Sequence, residues 1–135
     1  MKKTGKIIIT AMMMLCMMLS LTACGTKDNN AGTTGDVKHI EVMIYDSTGK
    51  EIYDKKVDTE ETFLYNALMK MDDLKIEATN SGYGEFITSI NGVAGQGNYY
   101  WNYYVNGKYS TVGVSTYEVQ NNDNIKFILE RYEGE

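Results

Sequence analysis

Eleven tyrosines and a single tryptophan are the side chains of this 135-residue chain best suited to recognition chemistry. The tryptophan and four of the tyrosines fall in the stretch Tyr99 to Gly107. Flat rings stack on a flat ligand, a sugar or another protein, and phenol hydroxyls add hydrogen bonds. Tyr99, Tyr100, Tyr104 and Tyr109 are the candidate ligand-binding residues, with Gln96 in the neighbouring Gly95-Gln96-Gly97 loop. Trp101 and Tyr103 are expected to lean into the core. Other chemistry is sparse. His39 is the only histidine. It has no histidine or cysteine partner at ligand spacing, so it reads as a surface residue, and no metal site is expected. The acid pairs Glu60-Glu61 and Asp72-Asp73 have the composition of glycosidase carboxylates, but they flank a helix, where they fit caps and a solvated face. Asn121 to Asn124 lacks the length and spacing of a calcium loop. No nucleophile elbow, zinc-protease, phosphate-loop or dinucleotide fingerprint occurs, so no catalytic residue is assigned and the chain is read as a non-enzyme.

The N-terminal segment carries chemistry of a different kind. Lys2, Lys3 and Lys6 precede an apolar run from Ile7 to Leu21, and Leu21-Thr22-Ala23 leads into Cys24. A basic start, a short apolar core and small residues before a cleavage point make a secretory signal, too short for a retained span. Cysteine directly after Leu-Thr-Ala resembles the lipobox of bacterial lipoproteins. That resemblance implies cleavage before Cys24 and a diacylglycerol thioether on its sulfur. Residues 1–23 are then the signal peptide and 24–37 a flexible tether rich in Asn, Gly, Thr and Asp. Residues 38–135 form the domain. Cys16 leaves with the signal, so the mature domain holds neither disulfide nor free thiol. The expected location is the cell membrane, lipid-anchored and facing the extracytoplasmic side.

Charge narrows the partners. The chain has 13 basic and 18 acidic residues, and the signal removes three lysines and no acid, leaving a mature net charge of −8. With one arginine and no basic stripe, nucleic acid is excluded as a partner. The same charge repels anionic lipid, so attachment to the membrane rests on the lipid chains alone.

The elements that must position the rings follow from periodicity. Ile40, Val42 and Ile44 alternate with Glu41, Met43 and Tyr45 in a strand, and Asp46-Ser47-Thr48-Gly49 turns it into a return strand from Glu51 to Val57. The charges Asp54, Lys55 and Lys56 suit a solvated or edge position. Leu64, Ala67, Leu68 and Met71 make the stripe of a short helix, with Asp58 and Glu61 spaced as a capping box and Thr62 as an alternative cap. Asp72-Asp73 opposes the helix dipole and is expected to end it. Leu74 to Ala78 reads as a short strand, Phe86 to Ile90 as another closed by Asn91-Gly92, and Val93 to Asn98 as a flexible loop. In the central strand, alternation places Trp101, Tyr103 and Val105 on one face and Tyr100, Asn102 and Tyr104 on the other. Asn106-Gly107 supplies a tight turn into Lys108-Tyr109. Val114, Tyr117 and Val119 tuck against the core, Ile125 to Leu129 is the last strand, and Glu130 to Glu135 frays. The order predicts an α+β fold, a β-grasp (ubiquitin-like) roll with one helix across a mixed β-sheet.

The series Ser89-Ile90-Asn91-Gly92, Tyr100-Trp101, Tyr104-Val105-Asn106-Gly107-Lys108-Tyr109, Gly113-Val114 and Ile125-Lys126-Phe127 resembles a bacterial family of domains of unknown function. That family is related to the C-terminal domain of transcobalamin and intrinsic factor. The match spans about the last fifty residues, and the helix from Thr62 to Leu68 fits upstream of it. The resemblance implies a ligand-binding module, with a corrinoid such as cobalamin as ligand. In transcobalamin this domain covers a corrinoid held mainly by a separate helical domain, which has no counterpart here. The family often carries Asp-Gly-Asp before the last strand, where this chain has Asn122-Asp123-Asn124. The alternative reading is a protein–protein or cell-envelope interaction module.

Overall fold

A computed structural model describes residues 35–134. The expected signal peptide, the lipidation site Cys24 and the tether as far as residue 34 lie outside the described residues. Among the described residues no helix is long and apolar enough to cross a membrane.

Strands β1 (Lys38–Tyr45) and β2 (Glu51–Thr59) form the expected antiparallel hairpin. Its turn is held by the Asp46 carboxylate, which accepts from the backbone N–H groups of Thr48 and Lys50, while Gly49 takes the positive φ of 80°. The chain then passes through helix α1 (Leu64–Met69), a 3-10 turn (Asp72–Leu74) and three short strands. These are β3 (Glu77–Asn80), β4 (Glu85–Ile90) and β5 (Val93–Ala94), which form a small sheet in that order. Strands β6 (Tyr99–Val105), β7 (Lys108–Tyr109) and β8 (Asn124–Arg131) complete the main sheet, whose order is β2-β1-β8-β6-β7. Strand β8 runs parallel to β1 and antiparallel to β6. The result is α+β: a mixed five-stranded sheet, a small three-stranded sheet and one short helix. Strand β2, with its charges, lies at the sheet edge, one of the two positions its composition suited.

One face of the main sheet is covered. Ile40, Val42 and Ile44 of β1, Ile125, Phe127 and Leu129 of β8, and Trp101 and Tyr103 of β6 share a core with Leu64 and Leu68 of α1 and Ile87 and Ile90 of β4. Leu64 and Leu68 are fully buried, and each such side chain stabilises the fold by roughly 1.5–3 kcal/mol. Val114 and Val119 join the same core, and Tyr117 packs against it, as their spacing predicted.

Several local expectations are corrected. The capping box on Asp58 and Glu61 does not form, and Thr62 is not the cap. The N-cap is Phe63, which makes no side-chain capping bond. The free N–H groups of Leu64 and Tyr65 instead donate to the carbonyls of Tyr117 and Val114, so a distant loop does what a local cap was expected to do. The helix ends at Met69, before the acid pair. Leu74 is buried in the 3-10 turn, and the strand expected there starts at Glu77. Val93 and Ala94 are paired to β4 and not looped. Strand β8 runs on to Arg131 where fraying was expected, because Glu130 and Arg131 still pair with Tyr100 and Tyr99. The small sheet itself was not anticipated.

Candidate functional site

The opposite face of the main sheet has no second layer of strands or helix from the described residues. Register sets its membership. Tyr100 pairs with Glu130, Asn102 with Ile128, and Tyr104 with Lys126 on one side and Tyr109 on the other. Lys126 and Ile128 pair in turn with Met43 and Tyr45 of β1. Directly opposed residues share a face, so Tyr100, Tyr104, Tyr109 and Tyr45 all lie on the open side. Tyr132 joins them, its ring edge-on to Tyr100 at 6.2 Å, and Tyr104 meets Tyr109 edge-on at 5.7 Å.

A carboxylate organises these rings. Glu130 accepts from the Tyr104 hydroxyl at 2.9 Å and from Asn102 Nδ2 at 2.6 Å. Asn102 Nδ2 also donates to the Tyr100 hydroxyl oxygen at 3.0 Å. One acid on β8 thus ties together three consecutive open-face residues of β6. Burial, reinforced by the bond to Glu130, pushes the Tyr104 phenol up to about 12. On β1, the Tyr45 hydroxyl donates to Glu51 at 2.7 Å, which with partial burial raises its phenol pKa. Lys126 sits over the Tyr45 ring, 5.5 Å from its centroid, within cation–π range.

At the other end of the same face lies a cleft of about 460 Å³ lined by His39, Glu41, Lys56, Asp58 and Asn124 together with Ile40 and Val57. His39 Nδ1 lies 2.5 Å from Asp58 Oδ1, with both side chains largely exposed. Asn124 Nδ2 donates to Glu41 Oε2 at 2.7 Å. Among the described residues, no three His, Cys, Asp or Glu side chains gather in a way that could hold a metal ion.

The structure places the five candidate residues unequally. Tyr100, Tyr104 and Tyr109 come together on the open face. Tyr99 does not: it shares the alternation of Trp101, and its exposure comes from standing at the strand's start, paired with Arg131 beyond the core. Gln96 is exposed in the preceding turn, where its carbonyl accepts from Tyr99 N–H. Its side chain makes no hydrogen bond to the face among the described residues. The phenols are already engaged on one side each: the Tyr100 hydroxyl accepts from Asn102 and the Tyr104 hydroxyl donates to Glu130. The sequence reading missed Glu130, Tyr45, Lys126 and Tyr132. For Tyr45 a signal existed in the alternation of β1. For Glu130 there was none without the register of β8 against β6.

Comparison with other proteins agrees on the fold. The structure resembles that of a protein from Ruminococcus gnavus ATCC 29149 described as a candidate metal-binding protein. The TM-score is 0.65 at 20% identity, covering 70% of this chain and 98% of that one. It also resembles haptocorrin in complex with Cbi, with a TM-score of 0.64 at 17% identity, covering 73% of this chain. The present chain spans 26% of that haptocorrin chain. No curated protein matches at the sequence level. The profile of the domain of unknown function DUF4430 matches residues 62–131, more than half of the chain, and the chain belongs to that family.

Proposed function

We propose that this protein is an extracytoplasmic lipoprotein whose domain binds a flat small ligand against the open face of its main sheet, without catalysing a reaction on it. The observation that carries the reading is the set Tyr100, Tyr104 and Tyr109, covered by no other strand or helix among the described residues, with Tyr100 and Tyr104 held by Asn102 and Glu130 and Tyr109 edge-on to Tyr104. Rings whose orientation is set before binding lose little entropy on stacking. A corrinoid is the ligand class we infer. Its support is the likeness in fold to haptocorrin, whose structure holds Cbi. The sheet order β2-β1-β8-β6-β7, with the last strand parallel to the first, supports a β-grasp roll in which β3 to β5 are an insertion. The metal-binding description of the Ruminococcus protein finds no matching donor set among the described residues here.

Calorimetric and visible-absorbance titration of the mature protein with Cbi and with cobalamin tests the reading. Binding is expected to be weakened by Tyr100→Ala and Tyr104→Ala and left intact by His39→Ala. Absence of binding at millimolar protein, with the protein folded, sinks the corrinoid assignment and favours a cell-envelope protein as partner. The anchor is tested separately. Mature protein is expected to begin at a diacylated Cys24, and Cys24→Ser to abolish membrane retention. A mature chain that retains Met1, or carries no lipid by mass spectrometry, contradicts it.

A further inference from the structure

We infer that the outer edge of β2 is a self-complementary interface, on which a second copy of this chain docks antiparallel and joins the two main sheets into one. Strand β2 ends the sheet order, so one side of its backbone has no neighbouring strand. Which groups face out follows from β1. The His39 carbonyl accepts from Asn122 N–H, and Glu41 N–H donates to the Asp123 carbonyl. These two residues therefore turn their main chain toward the β8 side. Backbone direction alternates along a strand, so Ile40, Val42 and Ile44 turn theirs toward β2. Their partners Val57, Lys55 and Tyr53 answer them, and Asp54 and Lys56, in between, point their N–H and C=O groups outward. No strand or loop among the described residues bonds to those groups.

Charge on a free edge ordinarily guards it against pairing. On β2 the charges match one another across a two-fold axis through Lys55. With two copies antiparallel about that axis, Asp54 of each stands opposite Lys56 of the other, in hydrogen-bonded pairs that exchange both main-chain bonds. Both side chains are exposed, and among the described residues neither makes an ion pair. Opposite charges directly across a ladder stabilise it. The two Lys55 residues meet at the axis, but each ammonium is already neutralised by Asp73 of its own copy. Moving the axis by one residue destroys the match. Centred on Asp54, the ladder sets Asp54 against Asp54. Centred on Lys56, it sets Lys56 against Lys56 and Asp54 against Asp58. The edge thus selects a single register.

The covered side of the sheet adds apolar contact. Tyr53 and Val57 are partly buried against the core at this edge. Across the axis they stand opposite each other as a non-hydrogen-bonded pair, the kind that brings side chains closer. Beside Val57 opens a groove of about 440 Å³ lined also by Val37, Ala67 and Met71, so the second copy's Tyr53 ring meets an apolar surface. The irregular register of the hairpin falls between Ile44 and Tyr45, beyond Tyr53, and leaves residues 53–57 regular. Such an interface is isologous, the same patch on both copies. Its axis is perpendicular to the sheet, so the two open aromatic faces lie on one side of the joined sheet.

The test follows the mature protein in density-matched detergent by analytical ultracentrifugation over a range of protein concentrations. A reversible dimer is expected, with hydrogen exchange at the Asp54 and Lys56 amides slowing as concentration rises. Asp54→Lys sets like charges against each other at both symmetric pairs and is expected to raise the dimer dissociation constant about tenfold. Combining it with Lys56→Asp exchanges the two charges and is expected to restore the dimer. Both positions are exposed, so circular dichroism is expected to show both variants folded. A protein that stays monomeric at millimolar concentration overturns the proposal. So does a folded double variant that dimerises no better than Asp54→Lys alone. A dimer that survives Asp54→Lys and is lost with Tyr104→Ala would assign self-association to the aromatic face and also overturns it.

Discussion

The two faces of β6 use the same residue types to different ends. On the covered face, Trp101 and Tyr103 send their polar atoms to backbone carbonyls, those of Val93 and Val112, and Tyr103 stacks on Phe127 at 5.5 Å. On the open face, Tyr100 and Tyr104 send theirs to side chains, Asn102 and Glu130. Backbone partners cannot move without moving the fold, whereas side-chain partners can exchange for a ligand. The covered rings are thus part of the architecture. The open rings form a surface with organised polar groups and little structural duty.

The sharpest way to break this contrast is truncation on each face. Trp101→Ala is expected to destabilise by about 3–5 kcal/mol, since it removes a ring that is 5% exposed and leaves a cavity. Tyr104→Ala is expected to cost less than about 1.5 kcal/mol, as for a partly exposed ring whose partner acid can rehydrate. Urea unfolding of both variants decides, and equal losses would mean that the open face is structural after all. Tyr103→Phe tests the covered side more finely. Losing its bond to the Val112 carbonyl is expected to cost about 0.5–1.5 kcal/mol, with the ring packing retained.

Glu130→Ala sharpens the other side. Its effect on stability is expected to stay within about 1 kcal/mol, while titration shows a loss of ligand affinity because Tyr104 and Asn102 are no longer oriented. A variant that binds as well as the parent would remove Glu130 from the site. The smallest effect is a pH dependence. The Tyr104 phenol sits at about 12, above its unfolded value of about 10. Its contribution is therefore complete below pH ~10 and lost as pH rises through about 12. Tyr53, pushed up to about 12 chiefly by burial, acts in the same window. Tyr104→Phe is expected to shallow the alkaline fall in stability without abolishing it, as read by denaturation between those pH values.

Much of this contrast was legible before any coordinates. The alternation of the central strand assigned Trp101 and Tyr103 to the core, and both are buried. Asn106-Gly107 called for a tight turn, and both residues carry positive φ, 51° and 79°. The stripe Leu64, Ala67, Leu68 and Met71 is buried as its spacing required. What failed were features with little local content. A two-residue strand such as β5 has no period to read. The capping box was overridden because the carbonyls of Tyr117 and Val114 reached the helix start first.

For this protein, then, the sequence alone determined the longer strands β1, β2, β6 and most of β8, the alternation of their faces, the tight turns and the helix stripe, because each depends on the period of nearby side chains and on backbone φ preferences. Only the tertiary structure decided which faces join. Glu130 lies 28 residues from Asn102 and 26 from Tyr104, and Tyr45 reaches the same surface through the parallel pairing of β1 with β8. Parallel and long-range pairings are selected by burial of the whole sheet against α1 and β4. No short stretch of chain carries that information, because the free energy that chooses the register is shared among all the strands at once.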